Sequence, residues 1–268
     1  MSNQALIRIV THDGPFHSDE VLSVAILTKI FKNHQIIRTR EQALIDLADI
    51  VVDVGSVYNH QLRRYDHHMK NPPQDERGHL FSSAGLVWYH YHSSYLKAIG
   101  IPKVIEIEGE SVEIEYFIDR IIRNRWIIPI DRGDNGLHSG PTPISEIVSA
   151  MSPIDPEKSR EKYNKQFLEC VSMVSHLFER ACFHAVDSII AKQKLIYCKK
   201  EYLEDGKIAC LDIDVKDFGF FSGSKVHFVV YPVLDHNTGD TFYNIRPIFD
   251  TFNKKYKTAI PGRLCGIS

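Results

Sequence analysis

Residues 5–32 read ALIRIVTHDGPFHSDEVLSVAILTKIFK, and this stretch decides the fold. Ala5–Thr11 is a short β-branched run that ends before a Gly14-Pro15 turn. From Asp19 to Lys32 the apolar residues Leu22, Ala25, Ile26 and Ile30 recur at helical spacing. The segment therefore reads as strand, loop and helix. Working outward, Gln35–Thr39 is a second β run, Glu41–Leu47 a short helical stretch and Ile50–Val52 a continuous apolar run. Strands alternating with helices, and apolar without interruption, are expected in a parallel sheet covered on its faces. The expected fold class is α/β, with a mostly parallel sheet flanked by helices and Asp53 at the end of a strand.

Further along, Ser83–Ala98 is a helix opened by serines, and Glu110–Trp126 is another, with Ile114, Phe117, Ile118, Ile121 and Ile122 on one stripe. The acidic stretch between them reads as a surface loop. After the Gly/Pro-rich segment 133–143, apolar residues at Tyr163, Phe167, Val171, Val174, Phe178, Ala181, Ala185 and Ile189 predict one long helix from Glu157 to about Leu195. Ile208–Val215, Val226–Leu234 and Thr241–Ile248 are strand-like, the last two joined by a turn-rich loop over Asp235–Asp240. Two domains are expected. Residues 1–152 form the larger, and 153–268 comprise a connecting helix with a smaller α+β domain.

The 268 residues are 43% hydrophobic, ample for a core in each of two domains. Thirty-two Lys and Arg against 34 Asp and Glu leave a net charge of -2, which excludes a histone-like or coat role resting on a bulk cationic field. The longest apolar runs, such as Ile7–Val10 and Ile127–Ile130, are too short for a bilayer span, and the N-terminus lacks a basic-then-apolar secretory signal. No membrane partner and a cytoplasmic location are expected. Cys170, Cys182, Cys198, Cys210 and Cys265 are spaced by twelve residues or more, matching neither a zinc knuckle nor a disulfide framework. They read as reduced, mostly buried thiols. Nine of the 14 histidines precede residue 93, which places the chemistry early in the chain. His138, His176, His184, His227 and His236 receive no role.

Four segments put acids and histidines at strand ends or in adjoining loops, where open α/β sheets bind ligands. The first carries His12, His17 and Asp19, and the second Asp53 before Gly55. The third is Asp66-His67-His68, in which adjacent imidazoles offer one metal ligand and one outward donor beside a carboxylate that can orient a ring. The fourth holds Asp131 and Asp134 after a helix, either able to close a coordination shell, with Asp134 preferred. A lone histidine is more often a surface or satisfied core residue, and an Asp at a strand end a turn former. For Asp53 alone that bland account would win. Joint occurrence shifts the balance, because His and carboxylate donors together suit Mn²⁺ or a similar ion, whereas structural zinc would draw on cysteine.

The combination resembles the DHH phosphoesterase superfamily, and the opening Thr-His-x-Gly-x-Phe-His-x-Asp-Glu over Thr11–Glu20 is similar to that of the melanocyte-proliferating-gene exonuclease family. The matching segments are Thr11–Glu20, Asp53–Gly55, Arg64–His68, Phe81–Trp88 and Asp131–Gly136, in the family's order. The resemblance implies two Mn²⁺ ions, with Mg²⁺ or another divalent ion as alternatives, held by His12, His17, Asp19, Asp53, His67 and Asp134. Asp53 would be the bridge, His68 would face the phosphate as proton donor, and Asp66 would orient the pair. The wider superfamily opens with His-x-x-x-Asp-x-Asp, so His17 here replaces an acid at a spacing one residue longer. Ser82 and Ser83, at the start of a helix, are expected to hold a non-bridging phosphate oxygen, with helix capping as the alternative. The family continues past the Leu-Pro region with a further aromatic, His and Gly-rich segment, so the second domain, closing on Ile260–Ser268, reads as shortened.

The expected function is a divalent-metal-dependent phosphodiesterase, by resemblance a 3′-5′ exoribonuclease that admits a strand end between its domains. Its partner would be RNA or a short oligonucleotide or nucleotide; no oligomeric state follows from the sequence. A phosphohydrolase of small nucleotides or short oligonucleotides is the alternative within the same chemistry. A metal- and nucleic-acid-binding module without catalysis is the alternative outside it.

Overall fold

The computed structural model describes residues 5–137, 143–154, 159–214 and 218–258. His138, the first residues of the expected long helix, Val215, Cys265 and the Ile260–Ser268 ending lie outside the described residues. The protein is mixed α/β and divides into two compact units, Met1–Val104 with Glu113–Ala185, and Ile105–Val112 with Val186–Ser268.

The first unit holds a five-stranded sheet of β1 (Ile7–Thr11), β2 (His34–Arg38), β3 (Ile50–Val52), β4 (Tyr58–Asn59) and β5 (Arg64–Tyr65), ordered β2-β1-β3-β5-β4. Only the pairing of the short edge strand β4 with β5 is antiparallel within this sheet. Ile9, Val10, Ile50, Val51 and Val52 are buried, as the uninterrupted apolar runs of β1 and β3 require. The helices are α1 (Ser18–Ile30), α2 (Gln42–Asp46), α3 (Ser83–Ala98), α4 (Glu115–Ile122), α5 (Ile128–Asp134), α6 (Pro143–Met151) and α7 (Arg160–Tyr197). Every residue of α1 from Ser18 to Leu27 is buried, so its apolar content runs all round and not along one stripe. The chain leaves β1 for β2 on one side and returns to β3 on the other. That reversal opens a crevice beyond the carboxyl ends of β1 and β3.

Residues 98–126 depart from expectation. Val104–Ile107 (β6) and Glu110–Glu113 (β7) form a two-stranded sheet closed by Glu108 and Gly109, both at positive φ (52° and 84°) as a tight hairpin turn requires. The helix thus starts at Glu115, not Glu110. It then runs through a π-helical turn at Arg123–Ile127 into α5, and Asp131 and Asp134 lie on α5 itself, not in a loop after a helix. Ile114, Ile118, Ile122, Ile127 and Ile130 are buried along this path. The step from 122 to 127 is five residues, the spacing a π turn accommodates.

Helix α7 buries Tyr163, Phe167, Val171, Val174, Phe178 and Ala185. Phe167 meets Phe16 edge-on at 5.6 Å, and Phe178 meets Trp88 at 5.3 Å and Trp126 at 5.4 Å. Because this stripe packs into the first unit, the units divide at Ala185/Val186, inside the helix, whereas the sequence suggested 152/153.

The second unit is built on a sheet of β8 (Lys200–Leu203), β9 (Ile208–Leu211), β10 (Phe228–Leu234) and β11 (Thr241–Pro247), ordered β11-β10-β9-β8. β9 and β10 are parallel and the other pairs antiparallel. Its core comprises Leu195, Ala209, Leu211, Phe221, Val226, Val229, Tyr231 and Ile248. A small hairpin of β12 (Phe249–Asp250) and β13 (Lys255–Tyr256) follows. Cys170 and Cys182 are buried, Cys198 and Cys210 half-buried, and all four are free thiols. Among the described residues no helix is long and apolar enough to cross a membrane.

Candidate metal centre

Three neighbouring strand ends of the first sheet and two helices supply the site. β1 delivers His12, β3 delivers Asp53 and β5 delivers Asp66, His67 and His68. Asp53 sits at φ 54° and Gly55 at φ 91°, so the chain turns sharply as it leaves β3. His17 precedes α1, and its backbone N–H donates to both carboxylate oxygens of Glu20, at 2.8 and 2.9 Å. Asp19 enters from the first turn of α1, and Asp134 from the end of α5.

These side chains converge. His12 Nε2 lies 3.1 Å from Glu20 Oε1 and 3.3 Å from Asp53 Oδ2. His67 Nε2 is 2.8 Å from Asp134 Oδ2 and 3.6 Å from Asp53 Oδ1. His68 Nδ1 is 2.9 Å from Asp66 Oδ1 and 3.3 Å from Asp53 Oδ1. Among the described residues, four sets each place one ligand atom per residue within 4.8 Å of the others: His12, His17 and Glu20; Asp53, His67 and His68; His17, Asp19 and Asp134; and Asp19, Glu20 and Asp53. All six residues expected to ligate are therefore brought together, and Asp53 belongs to two of the sets.

Asp19 is fully buried, yet neither of its carboxylate oxygens has a hydrogen-bond partner; His67 Nε2 likewise has none of acceptable geometry. A carboxylate in that condition costs several kcal/mol or takes up a proton or a cation. The cluster's electrostatics point the same way. Burial, then the negative charge of Asp53, Asp134 and Glu20, raises the Asp19 pKa well above the carboxylate range. Burial works against charge on His12, but its contacts with Asp53 and Glu20 outweigh this and raise it to about 10. His68 is raised to about 9, chiefly by its hydrogen bond to Asp53, against burial and with help from Asp66. His67 moves up because Asp134 outweighs burial. Burial would raise Asp53, yet His12 and His68 hold it well below its ordinary value. Imidazole protons thus supply the positive charge that these acids demand. The donors are imidazole nitrogens and carboxylate oxygens with no thiolate, a set that fits divalent ions of the Mn²⁺ or Mg²⁺ type.

A cavity of about 850 Å³ opens onto the cluster, lined by His12, His17, Asp53, Asp66, His68 and Asp134, with Arg40 as the sole Lys or Arg among its described lining residues. Asp131 is elsewhere. One of its oxygens accepts from the Ser82 backbone N–H at 2.9 Å and hydroxyl at 2.7 Å, and the other lies 3.1 Å from His79 Nε2. A Cβ at Gly85 would overlap both oxygens, so this glycine lets Asp131 clamp α5 to the start of α3. Ser82 and Ser83, expected at a phosphate, are both fully buried, and Ser83 Oγ donates to Asp53 Oδ1 at 3.1 Å. Their hydroxyls orient carboxylates instead of facing the cavity.

Sequence reasoning passed over Glu20, His79 and Arg40. Glu20 carried a readable signal, an acid three residues after an extended residue that opens a helix. His79 and Arg40 carried none, since their roles depend on α5 and on the cavity mouth.

Residues 8–218 match the family model MYG1_exonuc, described as Uncharacterised protein family (UPF0160). A MYG1 protein of Schizosaccharomyces pombe is 30% identical over 188 residues, which are 64% of this chain and 55% of that one. The MYG1 exonuclease of Rattus norvegicus is 35% identical over 54% of this chain and 42% of its own. A MYG1 protein of Caenorhabditis elegans is 36% identical over 48% and 39%. The chain spans about half the length, or less, of these curated relatives. A solved structure, the pGpG-specific phosphodiesterase PggH of Vibrio cholerae, superposes with a TM-score of 0.34 and 13% identity over 91% of this chain and 84% of that one, a likeness too low to bear on function. On the extent of the family match, this chain belongs to the MYG1 exonuclease family.

Proposed function

We propose that the protein is a divalent-metal-dependent phosphodiesterase of DHH type, with Mn²⁺ as the preferred ion. The observation that carries this reading is the buried Asp19 carboxylate, unpartnered at both oxygens and grouped with His17, Glu20, Asp53 and Asp134. His12, His17, Asp19, Asp53, His67 and Asp134 would hold a pair of ions, with Glu20 as a further carboxylate donor. Ions so held would supply a water of lowered pKa and positive charge against the phosphoryl oxygens.

The chain's own residues do the rest. Ser83 and His68 fix the rotation of Asp53, through contacts at 3.1 and 3.3 Å. Asp66 accepts from the His68 backbone N–H at 3.0 Å and sits 2.9 Å from its Nδ1, while the Ser56 N–H at 2.6 Å pins its other oxygen. With Nδ1 so held, His68 turns Nε2 outward on a side chain 62% exposed. It is placed to give a proton to the leaving oxygen of a phosphate ester, and its raised pKa keeps that proton available at neutral pH. Arg40, at the mouth, adds a guanidinium suited to an anionic substrate.

By family the substrate is a nucleic-acid end, and 3′-5′ hydrolysis of RNA is the specific form proposed. A second reading, hydrolysis of small nucleotides or short oligonucleotides, is favoured by a cavity of small-molecule size and a net charge of -2. The test is metal analysis of the purified protein with a hydrolysis panel of longer RNA, DNA and a dinucleotide, with Mn²⁺ or Mg²⁺ supplied. Mn²⁺-dependent release of nucleotides from the RNA 3′ end, lost in Asp53→Ala with the fold intact, is expected. Turnover of the dinucleotide alone selects the second reading, and metal uptake with no turnover on any phosphodiester overturns both.

A further inference from the structure

Among the described residues, strand β11 forms one edge of the second unit's sheet and differs from the opposite edge. β8 is four residues long and charged at Lys200 and Glu201, a usual defence of an open edge. β11 is seven residues long and pairs with β10 in unbroken register, without a bulge; its large side chains Phe242, Tyr243 and Ile245 are 52%, 69% and 51% exposed. Among its seven residues Arg246 is the sole charge.

The hydrogen-bond phase of this edge follows from its two ends. Asp235 N–H donates to Asp240 O at 2.8 Å, and Ile248 N–H to His227 O at 2.8 Å. In an antiparallel ladder bonded pairs alternate, so Asp240, Phe242, Asn244, Arg246 and Ile248 turn their amides toward β10. Pro232, opposite Tyr243, fits this phase because its missing N–H falls at a non-bonded pair. Thr241, Tyr243 and Ile245 therefore direct N–H and C=O away from the sheet.

We infer that β11 pairs with β11 of a second copy of this chain, antiparallel about a two-fold axis at Tyr243. In this register Tyr243 meets Tyr243 and Thr241 meets Ile245, each a hydrogen-bonded pair made from the outward amides. On the other face Phe242 meets Asn244, and Asp240 meets Arg246 twice, by symmetry. Shifting the centre to Asn244 also aligns outward amides but sets Arg246 opposite Phe242 and leaves Asp240 opposite Ile248. Charge complementarity selects Tyr243. Asp240 and Arg246 are both exposed, and Arg246 stacks 4.5 Å over Phe218, which holds its guanidinium on the strand's own face.

Sedimentation of the full chain across a wide concentration series tests this directly, with circular dichroism confirming that each variant folds. A monomer–dimer equilibrium is expected for the wild type. Arg246→Asp and Asp240→Arg should each raise the dimer dissociation constant roughly tenfold, since each turns two cross-strand attractions into like-charge pairs. The double variant, which restores opposite charges in the reverse sense, should recover most of the loss. A monomer throughout, a dimer indifferent to both single variants, or a double variant no tighter than the singles would each overturn the pairing.

Discussion

The first unit carries two clusters of histidines, and their neighbours make them chemically opposite. At the strand ends, His12, His67 and His68 face carboxylates and all hold protons more tightly than usual. Beside the short edge strand, His60 and His90 stack on one another at 3.7 Å and face phenols instead, with Tyr58 Oη 2.7 Å from His90 and Tyr65 Oη 2.8 Å from His60. Burial and then the neighbouring His60 push His90 down to about 4. The first cluster therefore gathers negative charge that attracts cations, and the second holds His90 neutral with no carboxylate among the partners named. Histidine density, which marked this half of the chain, does not separate the two. The acids do.

The largest contrast is expected at Asp19. Asp19→Asn should abolish binding of the metal at this centre while stabilising the metal-free protein by about 1–3 kcal/mol, because it removes a carboxyl that without metal must either stay ionised in a buried site or be forced to take up a proton. Thermal melts with and without Mn²⁺, beside His90→Phe with unchanged metal content, would show it; a destabilised metal-free Asp19→Asn protein would refute this account of the cluster. Next in size, His68→Ala should lower turnover roughly 10²- to 10⁴-fold while bound metal stays near wild type. Equal loss of both would make His68 a ligand. A smaller effect concerns protons: His12 retains its proton up to about pH 10 without metal, so metal uptake at neutral pH should release protons and tighten as pH rises. Calorimetry of Mn²⁺ binding in buffers of different ionisation heat reads the number released, and zero would contradict the raised pKa. The smallest effect belongs to the second cluster. His90 falls from 6.5 to about 4 on folding, so its contribution is intact above pH 6.5 and declines as pH drops toward 4. His90→Phe should flatten acid-induced loss of stability across that window, read from melting temperature against pH.

Much of the centre was legible because strand ends in a parallel sheet converge. His12 and Asp53 follow apolar runs that admitted one interpretation, whereas β5, which delivers His67, is only Arg64–Tyr65 and follows no apolar run. Asp131 and Asp134 could not be separated by spacing, since the choice rests on Ser82, His79 and the bare Gly85 that receives Asp131. Ser82 and Ser83 carried the helix-start pattern of phosphate binders, and only their burial turns them inward. The β6–β7 hairpin escaped notice because the isoleucine stripe that follows drew the helix boundary upstream. Glu108-Gly109 is a weaker turn signal than Asn-Gly or Asp-Gly. The long α7 was legible as a helix, but which residues it packs against was not.

The π-helical turn at Arg123–Ile127 has a bearing on what the chain tolerates. Such a turn is what a helix makes of one surplus residue, absorbing it without rotating the stretches on either side. Ile118 and Ile122 before it, and Ile127, Ile130 and Asp131 after it, all keep their inward aim. A chain shorter by one residue there would wind as a plain helix and still present Asp131 to Ser82 and Asp134 to His67. The turn thus marks a place where the chain should tolerate loss of one residue with both helical stretches keeping their aim.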